Sequence, residues 1–381
     1  MIKKSLCSIL LLLLATCITP EEPKYEYKDG LVYVDAFAST TPGTSYVVLS
    51  KSNLDFDIYR NEFISGANIT LSNDQNGTVV NFLEENGIYL PPVDFVVSEG
   101  ETWQLQIELS NGSKYLSKTE TIIAASEFSN LKVNYDPELV FDSNLERFLP
   151  GHTVLVDITE PLEERSFYLY KYRSFERIQI CETCENQIFR NGKCIDPPNP
   201  PEFGTIESDY YCDGECWRIR HSEKVNIFSD EFTQTGTVSN LAVGEVLLYT
   251  KENILVEVQQ LSLNEESFNY YKILKDIVEN SSGLNAPPPA PLIGNIYNPD
   301  DDDEYVLGRF TAASSNKKSI FINRDTIAEG AIEPINIFES ECEVFCGVAI
   351  CSSPESCEYE TIVSCGENRY RTAIKPEAWV D

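Results

Sequence analysis

Ten cysteines stand in two groups of five: Cys181, Cys184, Cys194, Cys212 and Cys216, then Cys342, Cys346, Cys351, Cys357 and Cys365. Residues of this type and number serve either thiolate ligation of zinc or disulfide formation. Cys181-Glu182-Thr183-Cys184 has the spacing of a zinc ligand pair, and Cys212 with Cys216 could supply a second pair. In an oxidising compartment disulfides are the default. Five is odd, so if all ten pair within one molecule, at least one bridge joins the two groups. The C-terminal segment then folds back onto the middle of the chain. Other constellations are sparse. His152 and His221 are the two histidines, and neither lies in a zinc-protease pattern. There is no Gly-x-Ser-x-Gly elbow and no phosphate-cradling glycine loop. Asp300 to Glu304 are consecutive carboxylates, but adjacent side chains cannot all converge on one calcium ion, so a solvated acidic loop is expected. The sequence therefore nominates no catalytic, cofactor-binding or metal-binding residue.

The oxidising compartment is argued from the leader. Lys3 and Lys4 precede an apolar run from Ile9 to Ala15, too short to persist as a membrane-spanning helix. Leu14-Ala15-Thr16-Cys17 closes it and resembles a bacterial lipobox. The resemblance implies cleavage before Cys17, lipidation of that residue, and a stable anchor at about 0.8 kcal/mol per buried methylene. An ordinary cleaved signal with an incidental cysteine is the alternative. Residues 1–16 are read as the signal peptide and 17–29 as an acylated tether, since Ile18 to Pro23 is polar and proline-bearing. Glu21-Glu22 resembles the export signal that sends lipoproteins of the Bacteroidota to the cell surface. The chain carries a formal net charge of −32, which argues against nucleic acid and against direct adsorption to anionic lipid.

The elements that must position any site are mainly β. Ile69 and Leu71 alternate with polar neighbours, Asn76-Gly77 follows, and Trp103, Leu105 and Ile107 alternate again before Asn111-Gly112. Alternation gives each strand one buried face, and Asn-Gly between strands is a strong hairpin signal. An N-terminal Ig- or transthyretin-like β-sandwich is expected over residues 30–125. A larger, disulfide-braced β-rich domain is expected over 126–381. Val154 to Ile158, Ser166 to Tyr172, Val225 to Phe228, Glu245 to Thr250 and Ile254 to Leu263 read as its strands. Cys181 to Phe203 reads as irregular because of its prolines. One amphipathic helix is predicted near 265–279, with Tyr270, Ile273, Leu274, Ile277 and Val278 as its apolar stripe and Ser262 or Asn264 as its cap.

Phe268-Asn269-Tyr270-Tyr271, Gly294-Asn295-Ile296-Tyr297-Asn298 and Val306 to Ala313 are similar to an uncharacterised Bacteroidota lipoprotein family catalogued as domain of unknown function 4249. Cys216-Trp217, Gly66-Ala67, Gly87-Ile88-Tyr89 and Lys375 to Trp379 extend the likeness over nearly all of the mature chain. Arg309 departs from it, standing where an aromatic is common. The resemblance implies an outer-membrane lipoprotein, lipid-anchored and exposed at the cell surface, often encoded beside TonB-dependent transporters. It brings no established reaction. The expected role is a non-enzymatic accessory of an outer-membrane TonB-dependent transporter in ligand capture or uptake. The alternatives are a surface hydrolase of a polysaccharide or peptide, and a structural or adhesive surface protein. Asp325-Thr326-Ile327 matches a short O-glycosylation pattern, read here as a plain loop.

Overall fold

The computed structural model describes residues 29–55, 58–143, 145–159, 166–184, 188–190, 193–195, 209–232, 236–280, 292–332, 365 and 369–380. The leader, Cys17, the tether to residue 28, both proline-rich loops and Cys342, Cys346, Cys351 and Cys357 lie outside these residues. The chain is mainly β with one helix.

Nine strands come first: β1 (Val32–Ser39), β2 (Tyr46–Asp55), β3 (Ile58–Phe63), β4 (Asn68–Asn73), β5 (Val79–Glu85), β6 (Ile88–Leu90), β7 (Thr102–Glu108), β8 (Lys114–Ser117) and β9 (Glu120–Thr121). The alternation works as read: Ile69, Leu71, Leu105 and Ile107 are buried in one core with Trp103 and Tyr115. The expected pair of separate sheets is one near-closed, barrel-like sheet instead. The reason is β5, whose residues Val79 to Phe82 pair with β4 while Leu83 to Glu85 pair with β6, so one strand turns the corner between both halves.

The barrel is completed from far along the chain. After β10 (Phe128–Asp142), β11 (Arg147–Thr159), β12 (Phe167–Cys184), β13 (Ile188–Arg190), β14 (Lys193–Ile195), β15 (Asp209–His221), β16 (Asn226–Ser229), β17 (Thr237–Leu247), β18 (Ile254–Leu263) and α1 (Glu265–Asn280) come β19 (Ile296–Tyr297) and β20 (Leu307–Ala313). Strand β19 pairs with β8, and β20 runs parallel to β1. The sheet of residues 30–125 thus takes its last two strands from the segment that sequence reading assigned to 126–381. Asn295 links the sheet's ends: its side-chain amide donates to Phe310 O and accepts from Phe310 N, both at 2.9 Å, as a strand's peptide group would. The approach is close enough that a Cβ on Gly308 (φ +93°) would meet Val34 O at 2.0 Å, and one on Gly294 would meet Gly308 O at 1.9 Å.

The second body is two packed sheets. Strands β10, β11 and β17 form one. The other has β21 (Ser315–Ile322), β18, β12, β15 and β22 (Arg371–Thr372) in order, with β16 also on β12. Val154, Val156, Val243, Val256, Val258 and Tyr170 meet between them. Sequence reading took Cys181 to Phe203 as irregular, but β12 continues to Cys184 against β15, and β13 with β14 forms a hairpin. Pairing along a long neighbour overrides the weak local signal. Only Ser314 separates β20 in the barrel from β21 in the second body, so the two bodies share an almost continuous strand.

Helix α1 starts where expected. Asn264 caps it, its Oδ1 accepting from Ser267 N at 2.8 Å. Its buried face is Ser267, Tyr270 and Tyr271, with Leu274 partly covered, while Ile273 and Val278 are exposed. The expected stripe is therefore rotated, because the helix sits in a corner lined by Phe37, Leu169, Leu261 and Leu263 rather than on a flat sheet.

Candidate functional site

Strand β12 has two covered faces. Tyr168 and Tyr170 point into the core of the second body. Leu169, Lys171 and Arg173 point the other way, toward the barrel and α1, and their partners on β18 are Leu261, Gln259 and Glu257. Between this face, strands β1 and β2, and the helix lies a cleft of about 560 Å³. Its walls are aromatic: Tyr33 and Phe37 from β1, Tyr46 from β2, and Tyr270 and Tyr271 from α1. Tyr271 stacks on Phe37 at 6.2 Å between ring centroids.

Lys171 lines this cleft. Its Nζ lies 3.3 Å from the Phe37 ring centroid and donates to Tyr46 Oη at 2.8 Å. Tyr46 Oη in turn donates to Asp35 Oδ2 at 3.1 Å. Burial pushes the lysine's pKa down to about 8, with Asp35 opposing and Arg369 adding to the fall. The same desolvation, with Asp35, holds Tyr46 and Tyr271 well above the ordinary phenol range. Arg173 Nε at 2.6 Å and Lys317 Nζ at 2.9 Å both bind Glu257. At the mouth, His221 Nε2 lies 2.9 Å from Arg369 O, and burial lowers its pKa.

Beside the cleft a second polar cluster joins barrel to helix. Glu120 is bound by Arg309, by Asn264 Nδ2 at 2.9 Å and by Asn295 Nδ2 at 2.8 Å. Arg309 also donates to Ser267 Oγ at 2.8 Å. All of these except Asn264 are almost fully buried. Burial nevertheless raises the Glu120 pKa, with Arg309 opposing.

The residues singled out from sequence fall elsewhere. Cys216 and Cys365, one from each group, form a disulfide across 149 residues. The side chains of Cys181, Cys184, Cys194 and Cys212, the other candidates of the first group for zinc or for bridges, lie outside the described residues. Trp217, next to the bridge, packs edge-on to Trp379 at 6.0 Å, which brings two of the family-like motifs together. In the acidic loop Glu304 turns inward, accepting from Tyr115 Oη at 2.8 Å and binding Asn298. Among the described residues no three His, Cys, Asp or Glu side chains are grouped for a metal. His152 is buried against Tyr135, and desolvation, with Arg324, lowers its pKa to about 4. Asp325 and Thr326 are exposed in a turn after β21.

The family model described as "Domain of unknown function (DUF4249)" matches residues 18–319. The chain belongs to this family. No curated protein matches it. The DUF4249 match spans β1 to β20 and most of β21, hence the whole barrel, the helix and nearly every wall of the cleft. Sequence reading of this DUF4249 chain missed Lys171, Gln259 and Asp35. One signal was present: Lys171 occupies the phase of β12 that carries Leu169, opposite the tyrosine phase, so a charged residue stands on an inward face.

Proposed function

We propose that this protein is a non-enzymatic lipoprotein of the outer membrane that acts as an accessory of a TonB-dependent transporter, capturing a ligand in the cleft between barrel and second body. The observation that carries the reading is the cleft itself. It lies where two bodies meet, a usual place for ligand sites, and combines aromatic walls with a few convergent polar groups. The leader and the lipobox-like Cys17 supply the membrane attachment in this reading. The tether of residues 17–29 holds the chain at the membrane, exposed at the cell surface. The barrel follows the tether in the chain and supplies one wall of the cleft. The strongly acidic chain repels its own kind and stays off anionic lipid.

The test is a native pull-down. With a tag beyond Asp381 and mild detergent extraction of the outer membrane, a stoichiometric β-barrel transporter is expected by mass spectrometry. Recovery of the protein alone, even after crosslinking, contradicts the accessory role.

A further inference from the structure

The donors on the cleft face outnumber their acceptors. Glu257 is the carboxylate on this face of β18, and both its oxygens are engaged, Oε1 by Arg173 and Oε2 by Lys317. Asp35 meets Lys171 only through the Tyr46 hydroxyl. An ammonium has three N–H groups. One goes to Tyr46 and the Phe37 face takes the side toward β1, so Lys171 has no ion-pair partner among the described residues. Gln259, directly opposite Lys171 in the register, has a buried Nε2 with no acceptor among the described residues. Directly opposed residues hold their Cβ atoms about 5 Å apart, so the two donors are neighbours. Arg369 faces the same space from the mouth, and its charge is felt by Lys171, Tyr46 and His221. The acids Glu85 and Glu223 stand exposed on the rim.

We propose that the cleft binds a small organic carboxylate with an aromatic or apolar body. One carboxylate oxygen takes the free N–H of Lys171 and the other takes Gln259 Nε2, while Arg369 attracts the anion at the mouth. The body of the ligand lies against Tyr33, Tyr270 and Tyr271. A carboxylate supplies two acceptors side by side and one charge, which matches one ammonium with one amide. This rests on the reading of the cleft as a capture site and names the class of ligand.

The experiment is calorimetric titration of the purified protein with phenylacetate, its neutral isostere phenylacetamide, and inorganic phosphate, on wild type, Lys171→Met and Gln259→Leu. Phenylacetate is expected to bind saturably and the other two not. Lys171→Met should weaken binding at least about tenfold, the size expected for a charge-assisted hydrogen bond, and Gln259→Leu several-fold. Each variant is checked by its melting curve, since both leave an apolar side chain of similar size. No saturable phenylacetate binding, equal binding of acid and amide, phosphate binding as tight as phenylacetate, or unchanged affinity in Lys171→Met overturns the proposal. The pull-down separates the two ideas. A transporter that co-purifies with a protein blind to phenylacetate removes only the ligand class, and carboxylate binding without any partner removes only the accessory role.

Discussion

Arg309 and Lys171 are both cations carried inward where the barrel meets the rest of the protein, and their surroundings differ. Arg309 lies against Glu120, whose oxygens also take Asn264 and Asn295. That cluster draws on β9, β20, α1 and the bend before β19, so it ties the ends of the barrel sheet to the helix. Lys171 faces a phenyl ring and one tyrosine hydroxyl, with its nearest carboxylate a hydroxyl away. A buried charge with its counter-charge in place holds elements together, whereas one without it destabilises the fold and remains free to meet a ligand. The two sites use the same chemistry for opposite ends, one spent on structure and one left open.

That contrast can be broken at Arg309 first. Glu120→Ala leaves the guanidinium buried without its carboxylate and should lower stability by about 3–5 kcal/mol. Urea unfolding measures it, and a loss under about 1 kcal/mol would mean the cluster is not what ties helix to barrel. A smaller effect is expected at Asn264, which caps α1 and touches Glu120. Asn264→Ala should cost about 1 kcal/mol from the cap alone. Combined with Glu120→Ala it should cost less than the sum, because the two residues share a contact. Strict additivity would separate the cap from the cluster.

Local features were legible in the sequence and distant pairings were not. The Asn76-Gly77 turn, the alternation through Leu105 and the helix cap each act within a few residues. The turn and the alternation stand where they were read, and of the two caps read, Ser262 and Asn264, it is Asn264 that caps. The parallel pairing of β1 with β20 joins Asp35 to Arg309 across most of the chain, and no local pattern encodes it. Gly308 and Gly294 mark that approach, yet a glycine in sequence does not say what backbone it must approach. A bridge between the cysteine groups was expected from their odd counts on the condition that all ten pair, and Cys216–Cys365 is such a bridge, though the count did not say which cysteines join. The cleft stayed hidden for the same reason as β20. Lys171, Tyr46 and Asp35 come from two bodies, and only their packing brings them together.

The most direct test of the contrast is the stability of wild type and Lys171→Met compared by urea unfolding from pH 7 to pH 10.5. The folded pKa of Lys171, about 8, lies below its unfolded value. Below pH 8 both states carry the charge, and the cost of burying it is fully present. Between about pH 8 and 10.5 the unfolded chain holds more protons, so stability rises with pH by at most about 3 kcal/mol. The raised tyrosine pKa values work in the opposite sense at the alkaline end, and comparison with the variant subtracts most of that. Lys171→Met should therefore be the more stable protein at pH 7, by about 1–3 kcal/mol, with its advantage shrinking as pH approaches 10.5. A variant less stable than wild type at pH 7, with a gap that does not change with pH, would show that Lys171 holds the fold together as Arg309 does.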